Sequence, residues 1–79
     1  MTHDDRFLIK ALEIAQQKGE YSRPVNRISV GKAVGLKESG VNNTVKLLCK
    51  ANFIVKIDED LMISVTERGQ KYVEKLTTK

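Results

Sequence analysis

Side chains that could carry out covalent or metal chemistry are few in this sequence. Its one histidine is His3, close to the N-terminus, and its one cysteine is Cys49. No serine or cysteine has a base partner that is evident from the sequence, and there is no glycine-rich phosphate loop. Three consecutive acids, Asp58, Glu59 and Asp60, lack the spacing and terminal glutamate of a calcium loop. The sequence therefore predicts a protein that is not an enzyme and holds no metal or cofactor.

The acidic triplet separates two apolar segments, FIVKI and LMISV. Both segments are rich in β-branched residues, which favour strands, and aspartate is common in turns. The pattern predicts a β-hairpin whose tip is acidic.

Positive charge is concentrated in the middle third of the chain. The formal net charge of the protein is +4. Residues 18–50 contain seven basic residues against two acids, whereas residues 51–79 contain five of each. A surface that binds a polyanion would lie in this middle third. Lysines also solvate ordinary surfaces, so charge alone leaves the partner open.

Apolar residues at helical spacing predict a first helix in THDDRFLIKALEIAQQKG. Cap-type residues and early acids suit its N-terminus, and Gly19 is a natural stop. Its predicted apolar stripe consists of Phe7, Leu8, Ala11, Leu12 and Ala15.

The following segments predict a short strand and two further helices. Pro24 and Asn26 mark an irregular connection, and Ile28 is assigned to a short strand. Ser29 is then expected to cap the helix VGKAVG, with Val30, Ala33 and Val34 facing inward. In the next helix Val41, Val45 and Leu48 share one face beside Thr44, while Asn52 ends that helix in the left-handed conformation.

A last helix is predicted after the hairpin. Thr66 is expected to cap it, and Tyr72, Val73 and Leu76 to pack on the core. The predicted order is helix, strand, helix, helix, strand, strand, helix. It indicates an α+β fold and a single domain over residues 1–79.

The segment ISVGKAVGLKESGVNNTVKLLCKANFI resembles the helix-turn-helix core of winged-helix DNA-binding domains. Leu36, Val41, Val45 and Leu48 fall at the spacing expected of that core, and ISVTERGQKYVEKL resembles the last wing strand leading into a helix. The resemblance spans almost the whole chain in element order. It implies a small winged helix: a three-helix helix-turn-helix core, a β-hairpin wing and a C-terminal helix.

The resemblance implies sequence-specific binding of double-stranded DNA by a small transcriptional regulator. Residues 39–51 would form the recognition helix and read the major groove, where amides pair with adenine edges and cations with guanine edges or phosphates. The residues assigned to DNA binding are Arg27, Lys32, Lys37, Ser39, Asn42, Asn43, Lys46 and Lys50.

Other interpretations stay open. Lys46 and Lys50 also suit ordinary solvated positions, and an acidic wing would oppose phosphates rather than bind them. The alternative function is a winged-helix module that contacts protein or RNA through its basic face or through Asp58, Glu59 and Asp60. A solvated turn with turn-friendly aspartates is the simplest explanation of the triplet and is compatible with either function.

The cysteine content and the hydropathy of the sequence indicate the cellular compartment. The one cysteine cannot form an internal disulfide, and no apolar run approaches the ~20 residues of a membrane span. We therefore expect a cytoplasmic protein without a membrane partner. Cys49 is expected to fill space, and Leu47 to be exposed. A homodimer is expected by family analogy alone.

Overall fold

The structure, a computed structural model, describes residues 2–57 and 61–78. These segments form α1 (His3–Gln17), β1 (Val25–Asn26), α2 (Arg27–Ala33), α3 (Glu38–Lys50), β2 (Ile54–Ile57), β3 (Met62–Val65) and α4 (Glu67–Thr77). The element order is the predicted one, which confirms an α+β fold with the arrangement of a small winged helix. No helix in the described segments is long and apolar enough to span a bilayer.

The three strands form one antiparallel sheet in the order β1-β3-β2. Ile54 pairs with Val65 and Ile57 pairs with Met62, which confirms the predicted hairpin. On the other side of β3, Val25 pairs with Ile63. The predicted acidic tip, Asp58, Glu59 and Asp60, lies outside the described residues.

The first helix begins and ends as the sequence predicts. Thr2 accepts a hydrogen bond from the backbone of Asp5, and the Asp5 side chain accepts one from the backbone of Thr2, so the two form a capping box. Gly19 follows the helix with a φ of +131°, a value that favours glycine. The whole predicted stripe is buried: Phe7, Leu8, Ala11, Leu12 and Ala15.

The predicted start of the second helix is wrong. The Asn26 side chain caps α2 by accepting hydrogen bonds from the backbone nitrogens of Ile28 (2.8 Å) and Ser29 (3.1 Å). Ile28 therefore lies in the helix rather than in a strand, and Ser29 is an exposed helical residue. Asn26 rather than Ser29 caps the helix because β1 pairs with β3 up to Asn26, and this pairing fixes where the strand ends. Ala33, which was expected to face inward, is exposed.

The helices α2 and α3 end in the same backbone motif. Gly35 (φ +78°) and Asn52 (φ +63°) adopt the left-handed conformation that this motif needs. The next amide then reaches back to the helix, from Leu36 to the Gly31 carbonyl at 2.8 Å and from Phe53 to the Leu48 carbonyl at 3.0 Å. The first motif makes the turn of the helix-turn-helix. The second directs the chain from α3 into the hairpin, as predicted for Asn52.

The core lies between the helices and one face of the sheet. Val41, Val45 and Leu48 of α3 are buried in it with Thr44 beside them, as predicted. Gly31 of α2 is buried directly against the side chain of Val41. Since α3 packs through this face, its opposite face is left for solvent.

Candidate nucleic-acid interface

The outward face of α3 carries four of the predicted site residues. At about 100° per residue, positions 39, 43, 46 and 50 fall on one side of the helix, opposite the buried positions. All four side chains are exposed: Ser39, Asn43, Lys46 and Lys50. The helix therefore presents a hydroxyl, an amide and two cations to solvent.

Each flank of this face has a different character. Asn42 is exposed on one flank. Leu47 lies on the other flank with 54% of its surface exposed, which confirms the expectation that it lies outside the core.

Lys32 and Lys37 lie next to α3, around the turn of the helix-turn-helix. Lys32 belongs to α2, and Lys37 is the residue just before α3. Both are exposed and border a groove of about 550 Å³ between the two helices. The groove is lined by Ile28, Lys32, Leu36, Lys37, Glu38 and Val41.

The lysines near the outward face of α3 have no carboxylate partners among the described residues. Among the residues that the structure describes, ion pairs join Lys10 to Glu13 on α1 and Lys71 to Glu67 on α4. The site lysines make no such pair within the same part of the chain: Lys32, Lys37, Lys46 and Lys50. Their charge is therefore available to an external anion. We call these four lysines, with Ser39 and Asn43, the basic face.

Arg27 and Asn42, which the sequence placed separately, contact each other. The guanidinium Nη1 of Arg27 donates a hydrogen bond to Asn42 Oδ1 at 2.5 Å. The backbone nitrogen of Arg27 donates to the carbonyl of Leu61 at 3.1 Å. Arg27 thus connects the start of α2, the side of α3 and the residue just before β3. Its Nε is buried without a hydrogen-bond partner among the described residues.

Two carboxylates on the first turn of α1 bind side chains of other helices, although the sequence pattern predicted only that they favour α1 itself. Thr44 of α3 donates a hydrogen bond to Asp4 Oδ1 at 2.9 Å. Tyr72 of α4 donates one to Asp5 Oδ1 at 2.8 Å. Thr44 is buried on the core side of α3, so its bond to Asp4 links that helix to the first turn of α1. The only sequence signal for these contacts is the pair of early acids.

The described residues offer no arrangement for metal chemistry. They contain no cluster of three histidine, cysteine, aspartate or glutamate side chains that could hold an ion. Cys49 is half-buried and packs against the core. Its placement suits the expected space-filling role.

Comparison with known proteins identifies the fold. No protein-family model matches the sequence, and no curated protein gives a significant match. RV1404 from Mycobacterium tuberculosis is similar in structure, with a TM-score of 0.74 and 22% identity over 98% of this chain and 50% of the RV1404 chain. This chain therefore spans half the length of RV1404.

A second similar structure is a Zalpha domain from Carassius auratus PKZ, solved in complex with Z-DNA. The TM-score is 0.58 with 17% identity, and the similarity covers 82% of this chain and 100% of that domain. At these identities the similarity shows the winged-helix fold and leaves the function to be argued from the surface.

Proposed function

We propose that this chain binds double-stranded DNA through the basic face and acts as a small transcriptional regulator that reads the major groove with α3. The main support for this function is that α3 has two chemically different sides. One side is buried in a helix-turn-helix core, and the other exposes Asn43, Lys46 and Lys50. An exposed helix with amides and cations has the dimensions and the hydrogen-bonding groups that major-groove reading requires.

The electrostatics favour a polyanionic partner. The site lysines make no ion pair with described acids, so binding phosphates costs them no existing partner. Neutralised phosphates release counterions, which supplies most of the non-specific affinity of such proteins. The Zalpha structure bound to Z-DNA is a precedent for a duplex partner on this fold.

The protein acts by binding rather than by catalysis, in the cytoplasm. By analogy with winged-helix regulators it pairs with a second copy, so that two α3 helices read half-sites about one helical turn apart.

The test is fluorescence anisotropy with a labelled mixed-sequence duplex, titrated at several salt concentrations. We expect the logarithm of the affinity to fall linearly with the logarithm of the salt concentration. Lys46→Ala should reduce the slope by about 0.9, the effect of one lost phosphate contact. Lys71→Ala is the matched control, because Lys71 already pairs with Glu67 on α4. Its slope should equal that of the wild type.

Two outcomes would contradict the proposal. Equal slopes for Lys46→Ala and wild type would remove Lys46 from the interface. No binding of the wild type even at low salt would favour the protein- or RNA-contact alternative. In that case, reversing the charges of Asp58, Glu59 and Asp60 should disrupt a complex with a protein partner.

A further inference from the structure

We infer that Arg27 and Asn42 together form a donor-only site for a phosphate oxygen of the DNA backbone, and that Asn43 is the amide that reads bases. This inference rests on the proposed function and assigns different roles to two adjacent asparagines. It follows from what each amide contacts.

The contact with Arg27 fixes the orientation of the Asn42 amide. A guanidinium carries only donors, so the group of Asn42 that faces it must be the oxygen. The amide nitrogen of Asn42 is then turned away from Arg27, and the residue is exposed. A bidentate contact with adenine needs the amide oxygen and nitrogen to face the base together. Asn42 cannot offer both while its oxygen faces Arg27.

Arg27 is held firmly enough to maintain this orientation. Its backbone nitrogen donates a hydrogen bond to the carbonyl of Leu61, just before β3, and its Nε is buried. The guanidinium group is therefore positioned by packing as well as by Asn42. Together the two side chains present N–H donors and a positive charge, which match a phosphate oxygen and do not match an adenine edge, where a donor and an acceptor lie side by side. A guanine edge offers two acceptors, but the flank position of Asn42 favours the phosphate backbone over it.

Asn43 is placed differently. It makes no side-chain hydrogen bond to any residue in the described segments, so both ends of its amide are available. It also lies near the middle of the outward face, with Ser39 and Lys46 beside it, whereas Asn42 lies about 100° away on the flank. In a major-groove complex the centre of the helix faces the bases and its flanks face the phosphates.

The test uses two aspartate variants, which keep side-chain size. Asn42→Asp retains an acceptor for Arg27 but removes the donors and adds a negative charge. Asn43→Asp makes the same chemical change one residue later. Affinities are measured by fluorescence anisotropy for two duplexes. The first has the sequence that the wild-type protein selects, and the second has that sequence with its adenines replaced by other bases. Urea unfolding of each variant checks that the fold is kept.

We expect Asn42→Asp to weaken binding to both duplexes by the same factor, roughly tenfold or more. The ratio of the affinity for the selected duplex to the affinity for the adenine-replaced duplex should therefore be unchanged. Asn43→Asp should reduce that ratio by roughly tenfold, because a carboxylate accepts from cytosine but cannot donate to adenine. A change of ratio with Asn42→Asp as large as that with Asn43→Asp would overturn the inference.

A double-mutant cycle tests whether Arg27 and Asn42 act as one site. Arg27→Met and Asn42→Ala are measured singly and together with the selected duplex. If the two residues bind one phosphate jointly, the double variant should lose less affinity than the product of the single losses. Strictly multiplicative losses would overturn the joint site while leaving the proposed function standing. Failure of the wild type to bind any duplex would overturn both.

Discussion

Tyr72 connects the C-terminal helix to the N-terminal helix through one hydroxyl group. Its ring stacks on Phe53 with centroids 4.4 Å apart, and its hydroxyl donates to Asp5. That hydrogen bond, together with burial and the negative charge of Asp5, raises the pKa of Tyr72 above its usual value of 10.0. The neutral hydroxyl is therefore the form that the folded protein stabilises.

Tyr72→Phe should lower the free energy of unfolding by about 1–2 kcal/mol at pH 7, since the ring stays but a hydrogen bond to a carboxylate is lost. Because the pKa is higher in the folded state, this contribution is fully present below about pH 10, the unfolded pKa of tyrosine. It is lost as the pH rises through the folded pKa. Urea unfolding of both proteins from pH 7 upward measures it.

Asp5 also caps α1, so its own replacement would confound the measurement. The phenylalanine variant avoids this. A difference between wild type and Tyr72→Phe that stayed constant above pH 10 would show that the hydroxyl does not donate to Asp5.

Contacts between single side chains were the least predictable part of the site. The sequence predicted that Arg27, before the recognition helix, and Asn42, on it, both contribute to DNA binding, but not that they touch each other. The two residues are fifteen positions apart, and Asp4 and Thr44 are forty apart. Such pairs depend on how two helices cross and which rotamers then fit. Neither is encoded in the spacing of residues within one segment.

At the scale of elements, two helical glycines that look alike in the sequence have different surroundings. A Cβ at Gly31 of α2 would overlap the side chain of Val41, whereas one at Gly40 of α3 would meet Leu36 Cδ2 at 3.4 Å. A glycine within a helix ordinarily weakens it by about 1 kcal/mol relative to alanine. In the structure Gly31 allows α2 and α3 to approach closely.

Gly31→Ala should therefore destabilise the protein by about 1–3 kcal/mol, because forced overpacking outweighs the gain in helix propensity. Gly40→Ala is the matched control and should be neutral or stabilising by up to about 1 kcal/mol. Thermal and urea unfolding of the two variants give the comparison. If both alanines stabilised the protein equally, the close approach of α2 to α3 would be wrong.

Helices with a regular apolar stripe were predicted correctly, as the buried residues of α1 and α3 show. The start of α2 was not. Asparagine and serine cap helices about equally well, so local sequence could not choose between Asn26 and Ser29. The choice was made by a tertiary contact, the pairing of β1 with β3. The winged-helix order itself was predictable because each element has its own pattern of apolar residues.

At the scale of the whole molecule, the location of charge matters more than the total. Ion pairs on α1 and α4 neutralise some lysines locally, but the lysines of the basic face have no described acidic partner. Like charges four residues apart on a helix destabilise it by about 0.2–0.5 kcal/mol per pair. Lys46 and Lys50 have this spacing on α3. A face built to bind phosphates should therefore reduce the stability of the free protein.

Opposite effects are expected for two variants that each remove one positive charge from the formal net charge of +4. Lys46→Gln should raise the free energy of unfolding at low salt by about 0.2–0.5 kcal/mol, because its repulsion with Lys50 is relieved while Lys50 keeps its favourable place in the last turn of α3. Lys71→Gln should lower the free energy of unfolding by a similar amount, because its surface ion pair with Glu67 is broken. Urea unfolding at about 10 mM and 500 mM salt tests this, since screening should shrink both differences. Equal changes in the two variants would mean that total charge, and not the basic face, sets the electrostatic free energy of the molecule.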